Sequence, residues 1–200
     1  INKRYIIVFN GEIYNYKNLR EELIEAGIKL RTKSDTEVIL ELFSLYGENC
    51  LEKLRGMFAF AIWDKTDECF FIARDPYGIK PLYIAKTSQG FMVASQVKAL
   101  LKTGLVSKNP CPYGQGGYWL LGSVPEPYTW FRDISSVAAG HFVRISKFGI
   151  KEKKWHSLSD NWQDLEKFNH KVGIKKEVKA LLHDSVKAHL VSDVPIGVFL

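Results

Sequence analysis

The sequence predicts an α+β fold in which stacked sheets carry helices on their outer faces, and three observations lead to it. Helical periodicity marks the first 46 residues and a segment around residue 180. Between them, short and mostly continuous apolar runs follow one another, as in strands covered on both faces. Polar stretches with the composition of hairpin loops separate several of these runs.

Residues 1 to about 46 read as strand, helix, strand, helix. Tyr5–Phe9 is a short apolar strand that stops at Asn10-Gly11. Tyr16, Leu19, Leu23 and Ile24 then recur at helical spacing, with Asn15 as N-cap and Gly27 as C-cap. The second helix carries the form of a capping box, Ser34-Asp-Thr-Glu37. It continues with Val38, Ile39, Leu42, Phe43 and Tyr46 on one face and stops at Gly47.

From Met57 the texture changes to strands: Met57–Trp63, Phe70–Ala73, Leu82–Ala85 and Phe91–Ala94, with Asp64–Glu68 and Lys86–Gly90 as hairpin loops. Residues 102–135 hold four of the 7 prolines and read as loop. His141–Ile145 is one more strand, and residues 155–172 read as a polar linker. Ile174, Val178, Leu181, Leu182, Val186 and Leu190 then mark an amphipathic helix that feeds the apolar run Val194–Leu200. A helix leading into a wholly apolar strand is how a parallel α/β domain begins. A boundary near residue 156 is therefore expected, with one domain over 1–155 and the linker and start of another over 156–200. The start at Ile1 instead of Met, and the end inside an apolar run, read as a fragment cut at both ends.

Composition excludes several classes. With 200 residues, 46% of them hydrophobic, the chain can bury a sizeable core and is not a disordered tail. It has no run of the roughly eighteen apolar residues that a membrane span needs, and no signal peptide, so a soluble protein is expected. The three cysteines, Cys50, Cys69 and Cys111, form no CxxC pair, which points to a reducing, cytoplasmic setting. The net charge of +6 comes with acidic residues interleaved among the lysine clusters at Lys151–Lys154 and Lys171–Lys179. These read as solvated helix faces, and nucleic-acid binding is not expected.

Three segments could carry chemistry. Asn10-Gly11-Glu12 at a sheet edge offers a side-chain amide and an unencumbered backbone N–H, the two donors of an oxyanion hole, with a carboxylate beside them. The same Asn-Gly dipeptide is also the commonest hairpin turn, and on spacing alone the turn comes first. Asp35 could hold a ligand's ammonium group, although a carboxylate in a first helical turn is favoured by the helix dipole without any ligand. Arg74, Asp75 and Lys80 surround a Pro-Gly turn between buried strands, which fits a structural Arg74–Asp75 pair as well as a functional cluster. The cysteines lie near no histidine and read as core residues. The five histidines lack metal-site spacing with carboxylates, so no metal is assigned.

Taken together and in order, Phe9–Asn15, Ser34–Glu37, Leu54–Asp64, Ala73–Asp75 with Gly78–Tyr83, Val124–Thr129 and His189–Leu200 resemble the glutamine-hydrolysing asparagine synthetase family almost end to end. The resemblance implies a class II glutamine amidotransferase domain with the four-layer α/β/β/α sandwich of N-terminal-nucleophile hydrolases. An α/β ATP-pyrophosphatase-like synthetase domain would follow. In that family an N-terminal cysteine attacks the glutamine amide, and the released ammonia meets a β-aspartyl-AMP made from aspartate and ATP with Mg2+. By motif, Asn10 and Gly11 would form the oxyanion hole, Glu12 would line the glutamine pocket, Asp35 would hold the α-ammonium group and Leu200 would edge the ATP site. The nucleophilic cysteine and the Arg-containing glutamine loop would lie upstream of Ile1. Expected partners are the small molecules glutamine, aspartate and ATP, with no nucleic acid or membrane and with a homodimer kept open. The chain departs from the family at Gln96, where glutamate is usual, and at Ala139, where proline is usual. Two other readings stay open at this level: a β-lactam-synthetase-like or secondary-metabolite amidotransferase, and a catalytically silent ligand-sensing domain.

Overall fold

A computed structural model describes residues 4–159, 173–191 and 197. In chain order the elements begin with β1 (Tyr5–Ile13), α1 (Tyr16–Glu25), α2 (Asp35–Tyr46), a 3-10 segment (Gly47–Lys53), β2 (Gly56–Asp64) and β3 (Cys69–Arg74). They continue with β4 (Tyr83–Thr87), β5 (Gly90–Ala94), α3 (Val97–Lys102), α4 (Pro112–Leu121), β6 (Ile134–Ser136), β7 (His141–Ser146), β8 (Gly149–Lys154) and α5 (Ile174–His189).

The strands form a five-stranded sheet, β1-β2-β3-β7-β8, and a three-stranded sheet, β5-β4-β6, and every pairing is antiparallel. Strand alternation sorts the core into layers. Phe58, Phe60, Ile62, Phe71 and Phe142 point to one face of the larger sheet and pack under Leu19 and Leu23 of α1 and Val38, Ile39 and Leu42 of α2. Ala59, Ala61, Ile72, Val143 and Ile145 point to the other face, against Leu82 and Val137, which flank β4 and β6, and against Ile84, Phe91 and Val93 of the smaller sheet. Rings thus fill the wide sheet-to-helix space, and alanines sit where the two sheets approach. Behind the smaller sheet, Ala85 and Ile134 pack on Leu100 of α3. The order is helices, sheet, sheet, helix: the expected four-layer sandwich.

Several local expectations change. β1 runs to Ile13, four residues beyond the expected end, because Asn10 to Ile13 stay in register with Ala59 to Gly56. The expected second strand near residue 30 is absent. There the N–H groups of Arg31 and Thr32 donate to the Glu37 carboxylate at 2.9 and 2.6 Å, which replaces a ladder partner. That diverts Glu37 from a capping box, and Ser34 Oγ caps α2 alone by accepting from Thr36 N at 3.1 Å. Asn15 sits at the N-cap of α1 without capping it. Its amide ties Lys53 O at 2.9 Å and Arg55 N at 3.0 Å, joining the end of β1 to the start of β2.

The stretch read as loop contains α4, whose glycines argue against a helix on propensity. They are needed for contact: a Cβ on Gly114 would lie 2.0 Å from Thr129 O, and one on Gly117 2.3 Å from Pro125 Cδ. Lys151–Lys154 lie on the edge strand β8, not on a helix, where lysine suits an unpaired edge. Trp155, expected in a linker, packs against the core and stacks on Phe58 at 6.1 Å. α5 forms as expected, with its apolar residues exposed. Most of the expected strand Val194–Leu200 lies outside the described residues.

Candidate functional site

Asn10-Gly11 is no hairpin turn. Both residues sit inside the continuous strand β1, which forms one edge of the five-stranded sheet. Backbone N–H groups alternate sides along an antiparallel strand. Tyr14 N–H donates inward to Arg55 O at 2.7 Å, and Ile13 N–H donates outward to Asp35 Oδ2 at 3.2 Å. Counting back by two from Ile13 puts the Gly11 N–H on the outer edge as well. Side chains alternate across the sheet too. Phe9 and Ile13 face the helices, so Asn10 and Glu12 face the gap between the sheets.

Gly11 is required by the backbone around it. Its φ is +153°, and a Cβ there would lie 2.1 Å from Met57 O. On the neighbouring strand, a Cβ on Gly56 would lie 2.1 Å from Glu12 O. Each strand therefore depends on a glycine to approach the other, and this close seam fixes the Asn10–Glu12 backbone. Gly56 was not among the residues singled out from sequence, although a glycine directly before an apolar strand is a legible signal of close approach.

Asn10 is exposed, and no hydrogen bond engages its side-chain amide among the described residues. It lines a cleft of about 270 Å³ at the open edge between the sheets, with Val8, Ala59 and Ala61 on one wall and Leu82, Val93 and Ser95 on the other. Asp35, at the start of α2, is brought to the same strand edge through Ile13. Its second oxygen, Oδ1, meets only the hydroxyls of Ser34 and Thr36 among the described residues, at 3.4 and 3.5 Å. Asn10, Gly11, Glu12 and Asp35 thus come together at one end of β1. Leu200 lies outside the described residues.

Arg74 and Asp75 do not pair with each other. Buried Arg74 donates to the carbonyls of Gly78, Lys80 and Val137 at 2.6–2.8 Å and pairs with Glu126 at 2.7 Å. Asp75, fully buried, accepts four backbone N–H groups, from Phe58, Tyr77, Ile79 and Lys80, at 2.9–3.2 Å. Four amide dipoles take the place of a cation. The pair builds the loop between β3 and β4, and the cluster is structural. Lys80 contributes its backbone to both members.

All three cysteines are free and buried, and burial pushes the Cys50 thiol up to about 12, so it stays protonated. No group of three or more His, Cys, Asp or Glu side chains could hold a metal among the described residues. None of the described helices is long and apolar enough to cross a membrane.

The family model described as "Glutamine amidotransferase domain" matches residues 1–156. The chain belongs to the glutamine amidotransferase family. Among curated relatives of this amidotransferase, asparagine synthetase [glutamine-hydrolyzing] 1 of Bacillus subtilis (strain 168) is 40% identical over 202 residues, covering 100% of this chain and 31% of that protein. Asparagine synthetase B [glutamine-hydrolyzing] of Escherichia coli (strain K12) is 35% identical, covering 99% and 30%. The putative asparagine synthetase [glutamine-hydrolyzing] of Mycobacterium tuberculosis (strain ATCC 25618 / H37Rv) is 37% identical, covering 98% and 31%. The amidotransferase chain thus spans about 30% of the length of these relatives. Among solved structures, the glutamine phosphoribosylpyrophosphate amidotransferase from B. subtilis, complexed with ADP and GMP, superposes with a TM-score of 0.55. It is 26% identical and covers 79% of this chain and 30% of that one. The four-layer sandwich is the fold of class II, N-terminal-nucleophile amidotransferases.

Proposed function

We propose that this chain is the glutaminase part of an asparagine synthetase, taking nitrogen from glutamine for ATP-dependent amidation of aspartate. The observation that carries the reading is the clustering of Asn10, Gly11, Glu12 and Asp35 at one sheet edge, in a chain whose curated relatives bear that name.

Hydrolysis of an amide puts negative charge on the carbonyl oxygen as the carbon becomes tetrahedral, and donors aimed at that oxygen lower the barrier. The outward Gly11 N–H and the Asn10 amide supply two such donors on a backbone held by the glycine seam. Asp35 uses Oδ2 to bind Ile13 N–H and turns Oδ1 to the glutamine α-ammonium group. Gly11 and Ile13 are about 7 Å apart along the edge, which suits the span of an extended glutamine from side-chain carbonyl to α-amino nitrogen. Glu12 lines the same pocket. The nucleophile is a cysteine upstream of Ile1, activated by its own α-amino group.

Mg2+ and ATP belong to a synthetase domain that starts beyond residue 155 in this reading. The described residues form no metal cluster, and no step here runs through either group. A cytoplasmic setting accords with the three free cysteines, and a homodimer is part of the proposal.

The test is to supply the intact protein with glutamine, aspartate and Mg-ATP and to measure both glutamate and asparagine. Formation of both supports the reading. Glutamate without asparagine would leave a glutaminase serving another acceptor, and neither product would overturn the proposal.

A further inference from the structure

A second cavity, of about 510 Å³, lies between the end of β1, the β3–β4 loop and the last turns of α5. Rings line much of it. Tyr14 meets His189 at 4.8 Å between centroids, Tyr77 meets His156 at 6.2 Å, and His156 meets Trp155 at 5.8 Å. Three residues of its lining carry a buried polar atom with no hydrogen-bond partner among the described residues: Tyr14 Oη, Trp155 Nε1 and His156 Nδ1. Arg55 lines the same cavity and is ion-paired with Asp184 of α5.

Orphaned polar atoms at a cavity wall ask for a ligand or water. Their chemistry narrows the choice. Trp155 Nε1–H only donates and the Tyr14 hydroxyl donates readily, while of the acidic and basic residues in the lining Arg55 is already held by Asp184 and Glu52 is a carboxylate, so the two ring-borne donors are what would bind a ligand's oxygens. Burial first, then the charges of Glu12 and Asp75, push the Tyr14 phenol above its ordinary range, so it keeps its proton. Flat aromatic walls favour a flat body.

We infer that this cavity is a binding site for a small aromatic carboxylate, its ring among the side-chain rings and its oxygens on Tyr14 and Trp155. The site is separate from the Asn10 cleft. It lies against Tyr14, the residue that follows the strand carrying Asn10, and against Ser185, Ala188 and His189 in the last turns of α5.

The experiment uses the intact protein labelled with 15N, benzoate as probe and benzylamine as its cationic counterpart. The Trp155 indole N–H signal is assigned by its loss in Trp155→Phe. Benzoate should shift that signal saturably in the millimolar range, and benzylamine should not. Tyr14→Phe removes a hydroxyl that has no partner, so it should fold as the parent does, and it should weaken benzoate about 10-fold or more. An unmoved indole signal, which would mark a cavity filled by water only, overturns the inference. So does equal binding of benzylamine, or undiminished binding in Tyr14→Phe. None of these readouts depends on glutamine hydrolysis, so failure here leaves the glutaminase reading untouched.

Discussion

The backbone N–H of Ile13 donates to the Asp35 carboxylate at 3.2 Å, tying the start of α2 to the outer edge of β1. This one bond brings a residue 22 positions downstream beside the Asn10-Gly11 segment. Asp35→Asn keeps an acceptor for Ile13 and removes the charge for the α-ammonium group. It should raise the glutamine KM about 10-fold or more with little change in Tm, since charge-assisted bonds contribute roughly 1.5–3 kcal/mol. Steady-state kinetics with glutamine and a thermal melt check this together.

Gly11→Ala and Gly56→Ala should each be severely destabilising, by about 3 kcal/mol or more. A Cβ at either site would meet a backbone carbonyl at 2.1 Å, which only separation of β1 from β2 relieves. Denaturant unfolding measures the loss. A well-folded Gly11→Ala protein with normal glutaminase activity would refute the close seam.

The legibility of the fold tracks where the information sits. The alternation of Phe58, Phe60 and Ile62 with Ala59 and Ala61 is local, and it announces a strand covered on both faces. α4 is hidden because the four prolines of residues 102–135 read as loop, and Gly114 and Gly117 within it have low helix propensity. Their reason is the carbonyl of Thr129 and the ring of Pro125, which sequence spacing does not place beside them. Asn10-Gly11 was ambiguous for a similar reason. Only the pairing with Ala59 and Phe58 shows it to be strand and not turn. The roles of Asn15 and Glu37 were misread because each found backbone partners outside its own cap.

The Arg74–Glu126 pair should be strongly asymmetric. Arg74→Met strands the carbonyls of Gly78, Lys80 and Val137 and should cost about 3–5 kcal/mol. Glu126 is half-exposed, and Glu126→Gln should cost about 1 kcal/mol or less. Chemical denaturation of the two variants compares them directly.

Acid stability should depend on Asp64 and Glu37. Bonding from Arg4, followed by Thr66 and Asp67 N–H groups, outweighs burial and holds Asp64 below its ordinary range. Burial alone would raise Glu37, but bonds from Thr32 and Arg31 hold it down. Folded values below unfolded ones mean that their stabilisation is complete above the ordinary carboxylate range of about 4 and is lost as pH falls through the lower folded values. Asp64→Asn and Glu37→Gln should each flatten the acid limb of stability against pH, measured by urea unfolding across that range.

The most direct test of the central claim is Asn10→Ala in the intact protein, assayed with glutamine and, separately, with ammonia as nitrogen source. Losing one oxyanion donor should lower glutaminase kcat by about 10²–10³, while ammonia-dependent asparagine formation persists. Equal loss of both activities, or an unchanged glutaminase rate, would contradict the assignment of Asn10 and the site built on it.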